Sequence, residues 1–249
     1  VSALLAAEGI VGGYASAEQV VKGVTLAADA GELVTVIGPN GAGKSTALKL
    51  VAGLLRPSKG SVRIAGEDVA GHSPQSIARA GLGFVPQERN IFGSLTIAEN
   101  LEMGCLFERR ATRARMAEAY DRFPMLAEKR RIAARSLSGG QRQVLAVAMA
   151  LMGRPRALLL DEPTAGLSPR AATELFGLIR GIATGGIAVL MVEQNALESL
   201  SVSDRAYVLV DGRNHLGGPA RQVAEDPDIR RLFLGGRAHQ PAGHPKAGE

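Results

Sequence analysis

Residues 38–46 read GPNGAGKST, and their types and spacing suit the holding of a phosphate chain. They fit G-x-x-x-x-G-K-[ST] through Gly38, Gly43, Lys44 and Ser45. Gly38, Pro39, Asn40, Gly41, Ala42 and Gly43 are expected to form the turn, with glycines letting backbone N–H groups converge on phosphate oxygens. The N-terminus of a following helix, with Thr46 in its first turn, adds partial positive charge. Lys44 is expected to reach the β and γ phosphates, and the Ser45 hydroxyl to ligate Mg²⁺. A nucleotide site of this kind needs an acid for the metal and a base for water. RALLLDE (156–162) offers both: Asp161 ends an apolar run, and Glu162 follows as a candidate general base. LSGGQ (137–141) puts a Ser-Gly-Gly turn at a helix start, a second place where free N–H groups and the helix dipole favour an anion. VEQN (192–195) is less easily read. An apolar run ends there on an acid and two amides, and nothing local explains why Gln194 should stand at a strand end.

These residues need elements to carry them. LVTVI (33–37) is β-branched and predicts a buried strand before the phosphate loop; TALKLVAGLL (46–55) predicts the helix after it. SVRIAG, LGFV before Pro86, RALLLD, IAVLMV and RAYVLV predict further strands. Helices are expected around 171–183 and 195–200, with a helical, charged block over about 96–134. Alternation of strand and helix on either side of that block predicts an α/β fold with a mostly parallel sheet and a helical insertion. The tail 237–249 is polar and rich in Pro and Gly, and is expected to be disordered.

Composition narrows the classes. The 249 residues carry a formal charge of +5, and a single cysteine, Cys105, excludes an internal disulfide or a cysteine zinc cluster and suits a reducing compartment. The opening VSALLAAEGIVGG has no basic leader ahead of an apolar core and is not expected to act as a secretory signal. The longest apolar run, VLAVAMALMG, is about half of what a bilayer span needs. Arg109, Arg110, Arg113, Arg115, Arg122, Lys129, Arg130, Arg131 and Arg135 alternate with Glu108, Glu118, Asp121 and Glu128 and read as solvated helical faces. They lack the interleaved aromatics of a single-strand binder, so no nucleic acid partner is expected.

The order GPNGAGKST, LSGGQ, LLLDEP closely resembles the ATP-binding cassette (ABC) family, over about residues 11–236. The resemblance implies a P-loop NTPase core of RecA-like type with an antiparallel β edge, in a single ATPase domain over 1–236. Residues 1–87 and 154–236 would form the core lobe, and 88–153 an inserted helical subdomain carrying LSGGQ. It implies ATP and Mg²⁺ as ligands and a head-to-tail pair of cassettes, in which Ser138, Gly139, Gly140 and Gln141 meet nucleotide held by the partner. Tyr14 resembles the aromatic that stacks on adenine. Gln87, in FVPQERNIF, resembles the glutamine that joins metal and water to the helical subdomain. Most of the family has histidine where Gln194 stands, bonded to the γ-phosphate; a glutamine amide can donate that bond but cannot become cationic. Gln194 is therefore expected to be a neutral γ-phosphate sensor. Many relatives also have aspartate where Ser168 stands, coupling the two ATP sites.

VEQN, the GLSP loop, RFPMLAEKRR and DIRRLFLGG together resemble the ATPase subunits of branched-chain amino acid importers, of the LivF type. That implies a motor on the cytoplasmic face of the inner membrane, peripheral, paired with a different cassette, two membrane permease subunits and, indirectly, an external solute-binding protein. The helical block over about 93–135 would be its docking surface. A urea importer ATPase, or a non-transport relative such as an iron–sulfur assembly ATPase, is the alternative; a regulator that binds ATP without hydrolysing it is disfavoured by Glu162.

Overall fold

The computed structural model describes residues 3–15, 19–105 and 109–234, the side chains of residues 109, 230 and 232–234 excepted. The tail over 237–249, expected to be disordered, and Glu108 of the charged block lie outside the described residues.

Two sheets face each other. The first is antiparallel, in the order β2-β1-β4-β5, from β1 (Leu5–Gly12), β2 (Val21–Ala28), β4 (Lys59–Ile64) and the two-residue β5 (Glu67–Asp68). The second runs β10-β9-β3-β8-β7-β6. It is built from β3 (Leu33–Ile37), β6 (Leu82–Val85), β7 (Ala157–Asp161), β8 (Ala188–Val192), β9 (Arg205–Val210) and β10 (Arg213–Pro219). All neighbours in it are parallel except β10, which pairs antiparallel with β9. β3, β7 and β8 are buried at every position, as strands covered on both faces must be, which is why they read as unbroken apolar runs.

Helix α1 (Lys44–Val51) lies between the sheets, where Leu48, Leu50 and Val51 join Leu5, Ile10 and Leu26 from one sheet and Leu159 and Leu190 from the other. The predicted helix over 46–55 stops at Val51, because Gly53 adopts φ of 72° and turns the chain out of the helix. α2 (Pro74–Arg79) precedes β6. On the far face of the second sheet, α7 (Pro169–Thr184) lays Leu175, Phe176 and Ile179 on Leu158, Leu160, Val189 and Met191. α3 (Ile97–Met103), α4 (Thr112–Arg122), α5 (Pro124–Glu128) and α6 (Gly139–Leu151) share a separate apolar cluster around Leu101, Phe123, Leu126 and Leu145. α6 belongs to two clusters: Ala146 and Val147 face the sheet, while Leu145 and Ala148 face the helices. α8 (Ala196–Val202), α9 (Ala220–Glu225) and α10 (Pro227–Leu234) close the edge near β9.

Arg115 departs from the solvated face expected of it. It is only 8% exposed, and its Nη1 donates to the Met152 carbonyl at 2.8 Å, pinning α4 to the end of α6. Among the described residues, no helix is long and apolar enough to cross a membrane.

Candidate functional site

Strand order explains how residues more than a hundred positions apart come together. β3, β8, β7 and β6 are parallel neighbours, and Val36 lies opposite Val192, which lies opposite Asp161. Their carboxyl ends therefore open on one edge, where open α/β sheets bind ligands. β3 delivers the phosphate loop, β7 Asp161 and Glu162, β8 Glu193 and Gln194, and β6 leads to Gln87.

The phosphate loop is tight. A Cβ on Gly38 would sit 2.2 Å from the Leu209 carbonyl oxygen, so only glycine fits between β3 and β9. Gly43 caps α1 at φ 89°, a left-handed conformation costly for other residues. Lys44 is buried, and its Nζ folds back to donate to the carbonyls of Gly38 at 2.7 Å and Pro39 at 3.1 Å. Burial lowers the Lys44 ammonium from its usual range, against the pull of Glu162 and Asp161. Thr46 is buried in the first turn of α1.

Ser45 Oγ donates to Asp161 Oδ1 at 2.7 Å, joining the helix start to the strand end. Asp161 is 4% exposed, and burial raises its carboxyl above the ordinary range despite the Ser45 bond. Glu162 leaves β7 at φ 47°, a strained value for a non-glycine residue, with its N–H donating to the Val192 carbonyl at 2.9 Å. Two amides meet its carboxylate: Gln87 Nε2 donates to Oε2 at 2.9 Å, and Gln194 Nε2 lies 2.9 Å from both Oε1 and Oε2. Asp161, Glu162, Gln87 and Gln194 thus converge, and Gln194 here faces the carboxylate of Glu162.

Tyr14 is 60% exposed after β1, its hydroxyl accepting from Lys49 Nζ at 3.1 Å with that ammonium 5.3 Å from the ring centroid. The Lys49 bond lowers the Tyr14 phenol. The tyrosine stands beside α1 as an open flat face.

LSGGQ forms its own local bonds at the start of α6. Ser138 Oγ accepts from Gln141 N at 3.3 Å and Gln141 Oε1 accepts from Ser138 N at 3.2 Å, a capping box that starts α6. Ser138 is exposed, and Gly139 and Gly140 lie against Leu167 and Ala171, after Glu162. A groove of about 330 Å³ separates Gln87–Ile91 from Gly139 and Arg142, with Ala165, Gly166 and Leu167 at its side.

Three residues escape a reading of the sequence. Glu193 is 2% exposed, and its Oε1 accepts from Thr164 N at 3.0 Å and Thr164 Oγ1 at 2.8 Å. Asn90 Nδ2 donates to Gln143 Oε1 at 3.0 Å and to the Pro86 carbonyl at 3.2 Å, tying the Gln87 loop to α6. Fully buried Asn100 accepts from Phe92 N at 2.8 Å and donates to the carbonyls of Phe92 and Thr96 at 3.0 and 2.8 Å. Only a polar type at an apolar position signals them, and that does not name a partner. Ser168 is the N-cap of α7, accepting from Ala171 N at 3.4 Å.

The ABC transporter family pattern matches residues 21–165. The chain is 39% identical over 219 residues to the high-affinity branched-chain amino acid transport ATP-binding protein BraG of Pseudomonas aeruginosa, covering 88% of this chain and 94% of BraG. It is 35% identical over 238 residues to the lipopolysaccharide export system ATP-binding protein LptB of Haemophilus influenzae, covering 93% and 97%. Its fold superposes with a TM-score of 0.75, at 26% identity, on the dimeric post-hydrolysis state of the ATP-binding cassette MJ0796 bound to ADP and Pi, covering 87% of this chain and 99% of that one.

Proposed function

This chain belongs to the ABC transporter family, and we propose that it is the motor subunit of an importer for branched-chain or related hydrophobic amino acids. It is an ATP-hydrolysing transport ATPase. The likeness to BraG across nearly the whole of both chains carries the choice of solute class. We assign residues 1–87 and 154–236 to a core lobe and 88–153 to a helical lobe, a division supported by the separate apolar cluster of α3 to α6.

On this reading, Tyr14 stacks on adenine and the loop 38–46 wraps the phosphates. Lys44 exchanges the Gly38 and Pro39 carbonyls for β and γ phosphate oxygens. Ser45 Oγ and Asp161 Oδ1, two oxygens 2.7 Å apart, fit a hard ion that keeps most of its shell as water and phosphate, as Mg²⁺ does. Such an ion, with Gln87 as a further ligand, would neutralise phosphate charge. Glu162 takes a proton from water as its oxygen attacks the γ-phosphorus and the bond to the β–γ bridging oxygen breaks. Gln194 aims that carboxylate through its two contacts of 2.9 Å, and as a neutral amide donor it also serves as the γ-phosphate sensor. Ser138, Gly139, Gly140 and Gln141 close on nucleotide held by a second cassette, which we take to be a different chain. Two membrane permease subunits and an external binding protein complete the assembly, at the cytoplasmic face of the inner membrane.

The likeness to LptB supports a second reading, a motor for lipid export. Cells lacking the chain separate the two. Labelled leucine and urea uptake would be measured with the parent or Lys44→Ala restored. Leucine uptake restored by the parent alone is the expected result. Recovery of urea uptake alone would move the chain to another solute with the site intact. Recovery of neither, with a lipopolysaccharide defect cured by the parent, would establish the export reading.

A further inference from the structure

Glu193 has no part in the chemistry above, yet it is buried at the centre of the site's framework. Its own N–H donates to the Val36 carbonyl at 3.2 Å, on the strand that leads into the phosphate loop. Its Oε1 accepts both the N–H and the hydroxyl of Thr164, and its Oε2 accepts the N–H of Gln194 at 3.2 Å. Each of these three bonds brings a donor to the carboxyl group, against a burial that raises its pKa above the ordinary carboxylate range. Thr164 is itself buried, two residues after Glu162, in a run of turns closed by Ala165 N to the Glu162 carbonyl at 3.1 Å and Leu167 N to the Thr164 carbonyl at 3.1 Å. That run carries Leu167 to the face of Gly139 in LSGGQ. One buried side chain therefore holds the backbone of Gln194 and the loop after Glu162 in fixed relation.

We propose that Glu193 is a positioning residue for hydrolysis, fixing Gln194 and the loop 162–168 so that the Glu162 carboxylate is held in its reacting orientation. The inference rests on the reading of Glu162 as the general base. Glu193 acts through Thr164 and Gln194, whose groups its carboxylate accepts from. Binding of ATP, which the phosphate loop supplies, should be nearly indifferent to it, whereas the reacting geometry should not.

The test is steady-state ATP hydrolysis and equilibrium ATP binding by the full chain. The proteins are the parent, Glu193→Gln, Glu193→Ala, Thr164→Val, the double variant Thr164→Val/Glu193→Ala, and Glu162→Gln as control. Glu193→Ala is expected to lower kcat roughly tenfold or more, with ATP affinity within about twofold. Glu193→Gln keeps one acceptor oxygen and should fall between, and the double variant should be no worse than Glu193→Ala because both remove one linkage. Parent kcat in Glu193→Ala, or a loss of affinity in step with the loss of kcat, overturns the inference. A Glu162→Gln variant that turns over like the parent would instead overturn the reading of Glu162. If the parent binds ATP without turnover, amide hydrogen exchange decides. Faster exchange at Thr164 and Gln194 in Glu193→Gln, at unchanged thermal midpoint, supports the linkage, and parent rates at both amides remove it.

Discussion

At the scale of single residues, the site places acids where burial works against them. Asp161 has a raised carboxyl pKa because burial penalises its charge more than the Ser45 bond favours it. A raised acid pKa means that the fold binds the proton more tightly than the unfolded chain does. The resulting penalty on stability is present in full above the folded pKa, and is relieved as pH falls through it toward the unfolded value. Asp161→Asn keeps an acceptor for Ser45 and removes the charge. It should raise the thermal midpoint at neutral pH, by ~2–4 °C for each ~1 kcal/mol relieved, with the gain shrinking toward acid pH. The same variant should lose Mg²⁺-dependent hydrolysis; calorimetry across pH beside an activity assay checks both. Gln194 gives a second prediction. Gln194→Ala should slow turnover with little loss of ATP affinity, because its amide holds Glu162. Gln194→His should make kcat acquire a limb in the imidazole range that the parent lacks, since only the imidazole can become cationic there. A pH profile without that limb would show that charge at this position is irrelevant. Contiguous motifs made Lys44, Ser45, Asp161, Glu162 and Ser138 legible. The resemblance singles out Gln194, but not its bond to Glu162, 32 positions away. Glu193 reads only as the acid of a strand end, because its partner Thr164 lies 29 positions back.

At the scale of elements, legibility followed burial. β3, β7 and β8 are readable because apolar runs buried at every position leave a continuous signal, and β9 because its part-buried run still carries Val208, Leu209 and Val210. β1 and β2 were not read. Their pairing shifts register between Ala7 and Ile10 and again between Ile10 and Val11, which breaks the alternation that would announce a half-buried strand. β10 is largely exposed and carries two glycines, so it has neither signal. The segment from Phe92 into α3 is organised by Asn100 in place of a regular backbone ladder. Asn100→Leu fills the volume but takes away the acceptor of the part-buried Phe92 N–H, while the Phe92 carbonyl keeps the Leu95 N–H at 3.1 Å; one unsatisfied group costs about 1–3 kcal/mol. The thermal midpoint should therefore fall by roughly 5 °C or more. Because Asn90 joins the same loop region to Gln143 of α6, Gln87 should also become less well held. Turnover is expected to fall further than ATP affinity, which a melt and a titration would show together.

At the scale of the whole molecule, two faces matter that the sequence alone could not relate. The edge of β3, β8, β7 and β6 gathers the phosphate loop, Asp161, Glu162, Gln87 and Gln194. Ser138 sits exposed at the start of α6, its capping bonds turned inward on its own motif. The linear order of motifs is readable; their relative placement is not, because it depends on how α6 bridges the sheet and the helical cluster. On the proposed reading, in which LSGGQ meets nucleotide held by a partner, each site is finished by a second cassette. Two variants should therefore fail in opposite ways within the assembled transporter. Lys44→Ala should lose ATP binding at its own loop. Ser138→Glu should bind ATP as the parent does, yet lower turnover at least tenfold, since a carboxylate would replace the hydroxyl that the proposed pairing sets against the partner's phosphates. Nucleotide bound per subunit and total turnover separate the two failures. If Ser138→Glu instead weakens ATP binding in the isolated chain, LSGGQ serves its own nucleotide and the paired arrangement is wrong. Mixing the two variants as isolated chains then identifies the partner. With a different cassette as the natural partner, the mixture stays inactive. Recovered turnover would make a second copy of this chain sufficient, because each mixed pair would contain one intact phosphate loop facing one intact LSGGQ.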